Sequence, residues 1–190
     1  MARSGKELII IGLSLTLSYV ILFKLNNFFV DTQHYLGVAS IVFLPAFVRL
    51  LGYLLIGLWI IPVLFIAGCW LVLTGQFDLA PGHSSELIIT GMTAVGGPLG
   101  IAIVARFSSL QPSLNNLTPL RLLALSFGCA AGNAIFHYSS LVATGTSGGP
   151  ISAPFIILAG DMIGTWIIIY LIKLAMECIP SGRGRPNGRL

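Results

Sequence analysis

The chain reads as an all-α, polytopic transmembrane helical bundle of about six spans, with the N-terminus and C-terminus both cytoplasmic. Three observations carry that reading. Charged residues make up 8% of the chain and hydrophobic residues 56%, against roughly 25% charged in an ordinary soluble domain. The mean hydropathy is +0.95. Apolar runs near the ~20 residues needed to cross about 30 Å of hydrocarbon recur along the whole length. A chain of 190 residues built this way has little room for a kinase, a cyclase or a nucleotide-binding domain. The glycines at 96–100 lack the Lys-Ser/Thr that a phosphate loop requires.

The first span is expected at 8–30. Its basic start and apolar run resemble a signal peptide, but the run outlasts the usual h-region of about 7–15 residues and no A-x-A-like site follows, so it reads as retained. The second span is expected at 38–57, with Pro45 inside it. The third, 58–74, is short and contains Pro62, so a tilted or partly re-entrant path stays open. The fourth covers 87–107 with Gly96, Gly97 and Pro98 near its centre. The fifth covers 120–141 and the sixth 151–176. Residues 1–176 thus form one transmembrane domain, and 177–190 a basic, disordered cytoplasmic tail.

Orientation follows from the basic residues. With the N-terminus inside, the inner side receives Arg3, Lys6, Arg106, Arg121, Lys173, Arg183, Arg185 and Arg189. The outer loops, 31–37, 75–86 and 142–150, hold no Lys or Arg and carry Asp31, Asp78 and Glu86. Lys24 can snorkel to the outer interface. The net charge of +4 therefore serves topology. The expected partner is the lipid bilayer, not a nucleic acid.

The chemistry sits inside the spans. Asp161 lies mid-way along the sixth apolar run, where a charge costs about 2.5–3.5 kcal/mol on insertion scales and calls for a partner. Arg49 lies mid-way along the second. Counted from the outer face at 1.5 Å per residue, the two fall within a few ångströms of the same depth. Their pairing has two readings: a lock on helix register, or a polar centre facing a cavity and a small polar ligand. Asn133 and His137, four residues apart, share one face of the fifth span. Asn133 falls near the level of Asp161 and His137 in the outer half. Pro45 and the Gly96-Gly97-Pro98 cluster are expected helix breaks, because proline removes a donor and frees an upstream carbonyl. Such breaks line binding sites in many transporters, or simply let helices pack closely. Gly160 and Gly164 form a small-xxx-small pair.

Other candidates are bland. Cys69, Cys129 and Cys178 are too far apart for a metal motif and read as small hydrophobes. His34, His83, Asp78 and Glu86 lack close ligand spacing, so neither a metal nor another cofactor is expected. No span presents a nucleophile beside an acid/base pair, so the chain is not expected to be an enzyme.

The segment Leu44-Pro45-Ala46, followed by LLGYLLIGLWIIPVLFIAGCWLVLTG, resembles the second and third helices of MASE1 sensory domains. Leu87 to Phe107 resembles the next helix, and Gly160-Asp161-Met162-Ile163-Gly164 resembles the closing Gly-Asp-Ala-x-Gly helix. The likeness covers most of 38–176, with Pro45, Ala46, Gly160, Asp161 and Gly164 as the matching positions. The chain departs from the pattern at Leu44 and Phe47, and Arg49 is outside it. The resemblance implies a sensory module of the bacterial cytoplasmic (inner) membrane. With no output domain expected after Met176, its signal would pass to a separate membrane protein, kinase or cyclase. Two other functions fit the sequence: a small transporter or substrate-capture subunit of an uptake system, and a structural assembly factor. Against the capture subunit, the first span lacks a clear Ala-x-x-x-Ala coupling motif.

Overall fold

The structure, a computed structural model, describes residues 4–29, 40–76, 82–111, 113–145 and 151–178. Its elements are α1 (Gly5–Phe29), α2 (Ala46–Ile56), a 3-10 turn (Gly57–Trp59), α3 (Ile60–Leu73), α4 (His83–Phe107), α5 (Pro119–Ala143) and α6 (Ala153–Cys178). No strand occurs among the described residues. Asp31, His34, Asp78 and residues 179–190 lie outside them. The last helix runs two residues into the expected tail.

Five stretches are long and apolar enough to cross a membrane: α1, the stretch Ala46–Leu73 that contains α2 and α3, α4, α5 and α6. Side-chain contacts show that Ala46–Leu73 is not one straight rod. Arg49 and Gly68 wall the same cavity, whereas a continuous helix would separate them by about 28 Å. Down α1, Asn26 meets Leu44, Tyr19 meets Arg49, and Leu15 lies beside Gly52. α2 is therefore antiparallel to α1. Gly12 faces Val63, and Tyr19 shares a cavity wall with Leu64 and Gly68, which sets α3 parallel to α1. The chain reverses at Gly57, whose φ of 61° suits a residue without a Cβ. Trp59 is exposed at the hairpin tip.

Both prolines of this hairpin fall where a missing N–H costs little. Pro62 is the third residue of α3, among the first donors that have no intrahelical acceptor. Pro45 immediately precedes α2. The second span is thus not helical over the expected 38–57. Helix begins only at Ala46, and residues 40–45 run non-helically alongside α6. Pro45 marks a helix start rather than an interior kink, consistent with its preset φ.

The expected break in the fourth span is absent. α4 continues through Gly96, Gly97 and Pro98, all buried. The glycines serve closeness instead. Gly96 and Gly100 of α4 press on Gly132 and Gly128 of α5, so near that a Cβ at Gly100 or Gly132 would overlap the opposing backbone. Neighbouring helices readily accommodate a proline inside a membrane helix. α5 opens with Thr118 as its cap, its Oγ1 accepting from the Arg121 backbone N–H at 3.2 Å, followed by Pro119 at the first helical position.

Leu15, Tyr19 and Phe23 of α1 pack with Val48, Ile60, Leu64, Ala67, Leu71 and Ala94 in one apolar core cluster. Leu50, Ile101, Leu125 and Cys129 form a second. The outer surface carries Ile9, Leu13 and Leu17, each more than 60% exposed. An apolar stripe of that kind suits lipid rather than water.

Candidate functional site

Where α1, α2, α5 and α6 converge, four polar side chains meet. Arg49, on the second turn of α2, donates from Nη1 to Asp161 Oδ2 of α6 at 3.1 Å. Asn133 of α5 donates from Nδ2 to the same oxygen at 2.8 Å. On its other edge the guanidinium donates from Nη2 to the Tyr19 hydroxyl at 3.3 Å. The Phe43 ring stacks 5.1 Å from the guanidinium carbon and the Tyr19 ring 5.9 Å from it, a geometry that suits a weakly hydrated planar cation. All three of Arg49, Asn133 and Asp161 are buried.

The sequence explains how this cluster assembles. Gly160 and Gly164 present bare backbone one turn apart on α6, and the non-helical segment 40–45 lies in that seat. A Cβ at Gly160 would overlap the Ser40 carbonyl oxygen, and one at Gly164 the Phe43 carbonyl. The backbone of this segment finds partners despite its lack of helix. Phe43 N–H donates to the Gly160 carbonyl at 3.0 Å. Leu44 N–H donates to Asn26 Oδ1 at 2.9 Å. Ser40 Oγ donates to the Val42 carbonyl at 2.5 Å. Non-helical backbone within a membrane requires this kind of internal satisfaction. The glycine pair therefore holds an intramolecular seat, next to the carboxylate it flanks in sequence.

The expected site residues separate accordingly. Arg49, Asp161 and Asn133 come together. His137 forms no hydrogen bond with them; its carbonyl accepts from Ser140 Oγ, and its Nε2 is buried without a partner. Pro45 stands one turn from Arg49 at the head of α2. Gly97 touches the cluster from below, its α-carbon face against the Arg49 stem and the Cys129 sulfur. Gly96 serves the α4–α5 contact, and Pro98 is buried within the continuous α4. His83 and Glu86, expected in a loop, instead form the first turn of α4, with His83 Nδ1 3.3 Å from Glu86 Oε2. No group of three metal-ligating side chains occurs among the described residues.

Sequence reading missed Tyr19, Asn26 and Phe43. A signal was present: Gly12, Leu15, Tyr19, Phe23 and Asn26 recur every three or four residues along α1 and are its buried stripe. Two hydrogen-bonding groups on that one face indicate polar partners across the interface.

The fold and this cluster define a multi-pass helical membrane protein with a buried ionic centre. No family model matches the chain, and neither curated proteins nor solved structures yield a match.

Proposed function

We propose that the chain is a MASE1-like sensor or adaptor of the bacterial inner membrane, in which the Arg49–Asp161 pair is a latch responsive to a small anionic or zwitterionic ligand. One observation carries the reading. The two sequence pieces that resemble the family, Pro45-Ala46 and Gly160-Asp161-Met162-Ile163-Gly164, are distant in sequence yet lie together, with the non-helical segment seated on the glycines and the ion pair beside it. Energetics favour a role beyond packing. A buried ion pair gains little over well-packed apolar residues, because desolvation offsets the attraction. A ligand carboxylate or phosphate that takes over Arg49 would release Asp161 and free the segment 40–45 from α6. The signal would then leave through a separate membrane partner, kinase or cyclase.

Purified protein in nanodiscs, screened by thermal unfolding against small carboxylates, phosphates and amino acids, tests this. At least one compound is expected to raise Tm in the parent protein and not in Arg49→Gln. A screen in which no such compound acts, or in which the shift persists in Arg49→Gln, removes the latch. The same non-helical segment also favours a second reading, a substrate-capture or transport subunit, since discontinuous helices build many transport sites. Saturable uptake into proteoliposomes, with no partner-dependent signalling, supports that alternative.

The same proposal includes six crossings with both termini cytoplasmic, supported by the α2–α3 reversal and by the one-sided distribution of Lys and Arg. Reporter fusions at Trp59 and at residue 147 are expected on opposite faces, Trp59 with the N-terminus. A Trp59 fusion on the outer face contradicts six crossings.

A further inference from the structure

Beside Arg49 lies a small cavity, of about 10 Å³, walled by Tyr19, Arg49, Leu64, Gly68, Thr90, Thr93 and Ala94, with Asp161 not among its walls. It is far too small for an organic ligand and matches the room one water needs. Its wall is polar in a particular way. Thr90 is 3% exposed and its hydroxyl has no hydrogen-bond partner. Thr93 Oγ1 donates to the Thr90 carbonyl at 3.0 Å, which leaves its oxygen lone pairs able to accept. Tyr19 accepts from Arg49, which leaves its own proton to donate. Arg49 spends one hydrogen bond on Asp161 and one on Tyr19, and a guanidinium fork has donors left over.

We infer that this cavity is a specific binding site for one water molecule, which bridges Arg49 and Tyr19 on α2 and α1 to Thr90 and Thr93 on α4. The wall offers both donors and acceptors, and water alone among species of this size uses both. A monatomic anion would lack the acceptor-facing match at Thr93, and it would add a second negative charge to a guanidinium already neutralised by Asp161. The bridge would make α4 the fifth helix tied to the ionic centre, through a contact that no direct hydrogen bond supplies. The inference stands apart from the ligand latch and holds equally for a sensor, a transporter or a packing lock.

The near-isosteric substitution Thr90→Val tests it by the sign of its effect. If water bridges the hydroxyl, Thr90→Val removes a hydrogen bond and lowers Tm by about 2–4 °C, while Thr90→Ser keeps the bridge and shifts Tm less. If the cavity is dry, Thr90→Val relieves an unsatisfied buried hydroxyl, and Tm stays level or rises. That result overturns the inference. A high-resolution density map gives a second, independent reading: a peak within hydrogen-bond distance of both Thr90 Oγ1 and the Arg49 guanidinium is expected. A map that is empty there, or whose peak follows the halide in the buffer, contradicts a water site.

Discussion

Asp161→Ala is expected to destabilise the protein by about 3–5 kcal/mol, the cost of leaving a buried partner charge uncompensated. The substitution strands two donors at once. Arg49 loses the Asp161 carboxylate, and Asn133 Nδ2 loses the oxygen it meets at 2.8 Å. Both side chains are buried, so bulk water cannot take the place of the lost carboxylate. Among the described side chains, the guanidinium retains the Tyr19 hydroxyl and the faces of the Tyr19 and Phe43 rings. Asp161→Asn is expected to cost less, since its amide oxygen can still accept from one donor while the charge balance is lost. Thermal or denaturant unfolding in detergent micelles orders the three proteins: parent, then Asp161→Asn, then Asp161→Ala. Equal stability of Asp161→Ala and parent would show that the arginine finds another anion or leaves the core.

Gly164→Ala is the second large effect. The added methyl would overlap the Phe43 carbonyl and crowd the Leu44 nitrogen, which are backbone atoms and cannot rotate away. Overpacking of a tight contact costs about 1–3 kcal/mol, occasionally more. Here the push acts on the segment that carries Phe43 over the guanidinium and donates from Phe43 to Gly160. The expected loss therefore sits at the upper end of that range, with a larger one for Gly164→Val. Gly91→Ala is the matched control on α4. Its Cβ would meet only the Phe65 ring, at 3.7 Å, an ordinary contact. Alanine is also the better helix former by about 1 kcal/mol. Gly91→Ala should leave Tm level or raise it, whereas Gly164→Ala lowers it. A Gly164→Ala protein as stable as the Gly91→Ala control would mean that residues 40–45 do not rest on α6.

Much of the architecture was legible from hydropathy, because each span must present about 20 apolar residues to lipid. The long helices α1, α4, α5 and α6 fall within a few residues of their expected bounds. Counting depth along the spans also put Arg49 and Asp161 on one level, and the two do meet, although residues 40–45 within that count are not helical and do not rise as a helix does. What hydropathy does not carry is the state of the backbone inside an apolar run. Residues 40–45 are nearly as apolar as the helix that follows, so the sequence suggests one continuous span. The glycine seat on α6, a feature of another helix, accommodates a non-helical chain there. The converse holds at Gly96-Gly97-Pro98. Three helix-weakening residues in a row suggested a break, yet the close approach of Gly128 and Gly132 keeps α4 intact. In both places tertiary contact, not local propensity, decides the outcome. Tyr19 went unread for a simpler reason: a tyrosine in an apolar helix counts as hydrophobic until its hydroxyl has a neighbour.

Replacing the ion pair as a pair separates a working centre from a packing lock. Arg49→Met, Asp161→Leu and the double variant should be compared for stability and for response to whichever compound stabilises the parent. Each single variant is expected to be strongly destabilised and the double to regain most of the loss, since apolar side chains of similar volume commonly substitute for a buried ion pair. The recovered double variant is expected not to respond to the compound. A double variant that folds well and still responds in full would contradict the claim that Arg49 and Asp161 are the working centre of this protein.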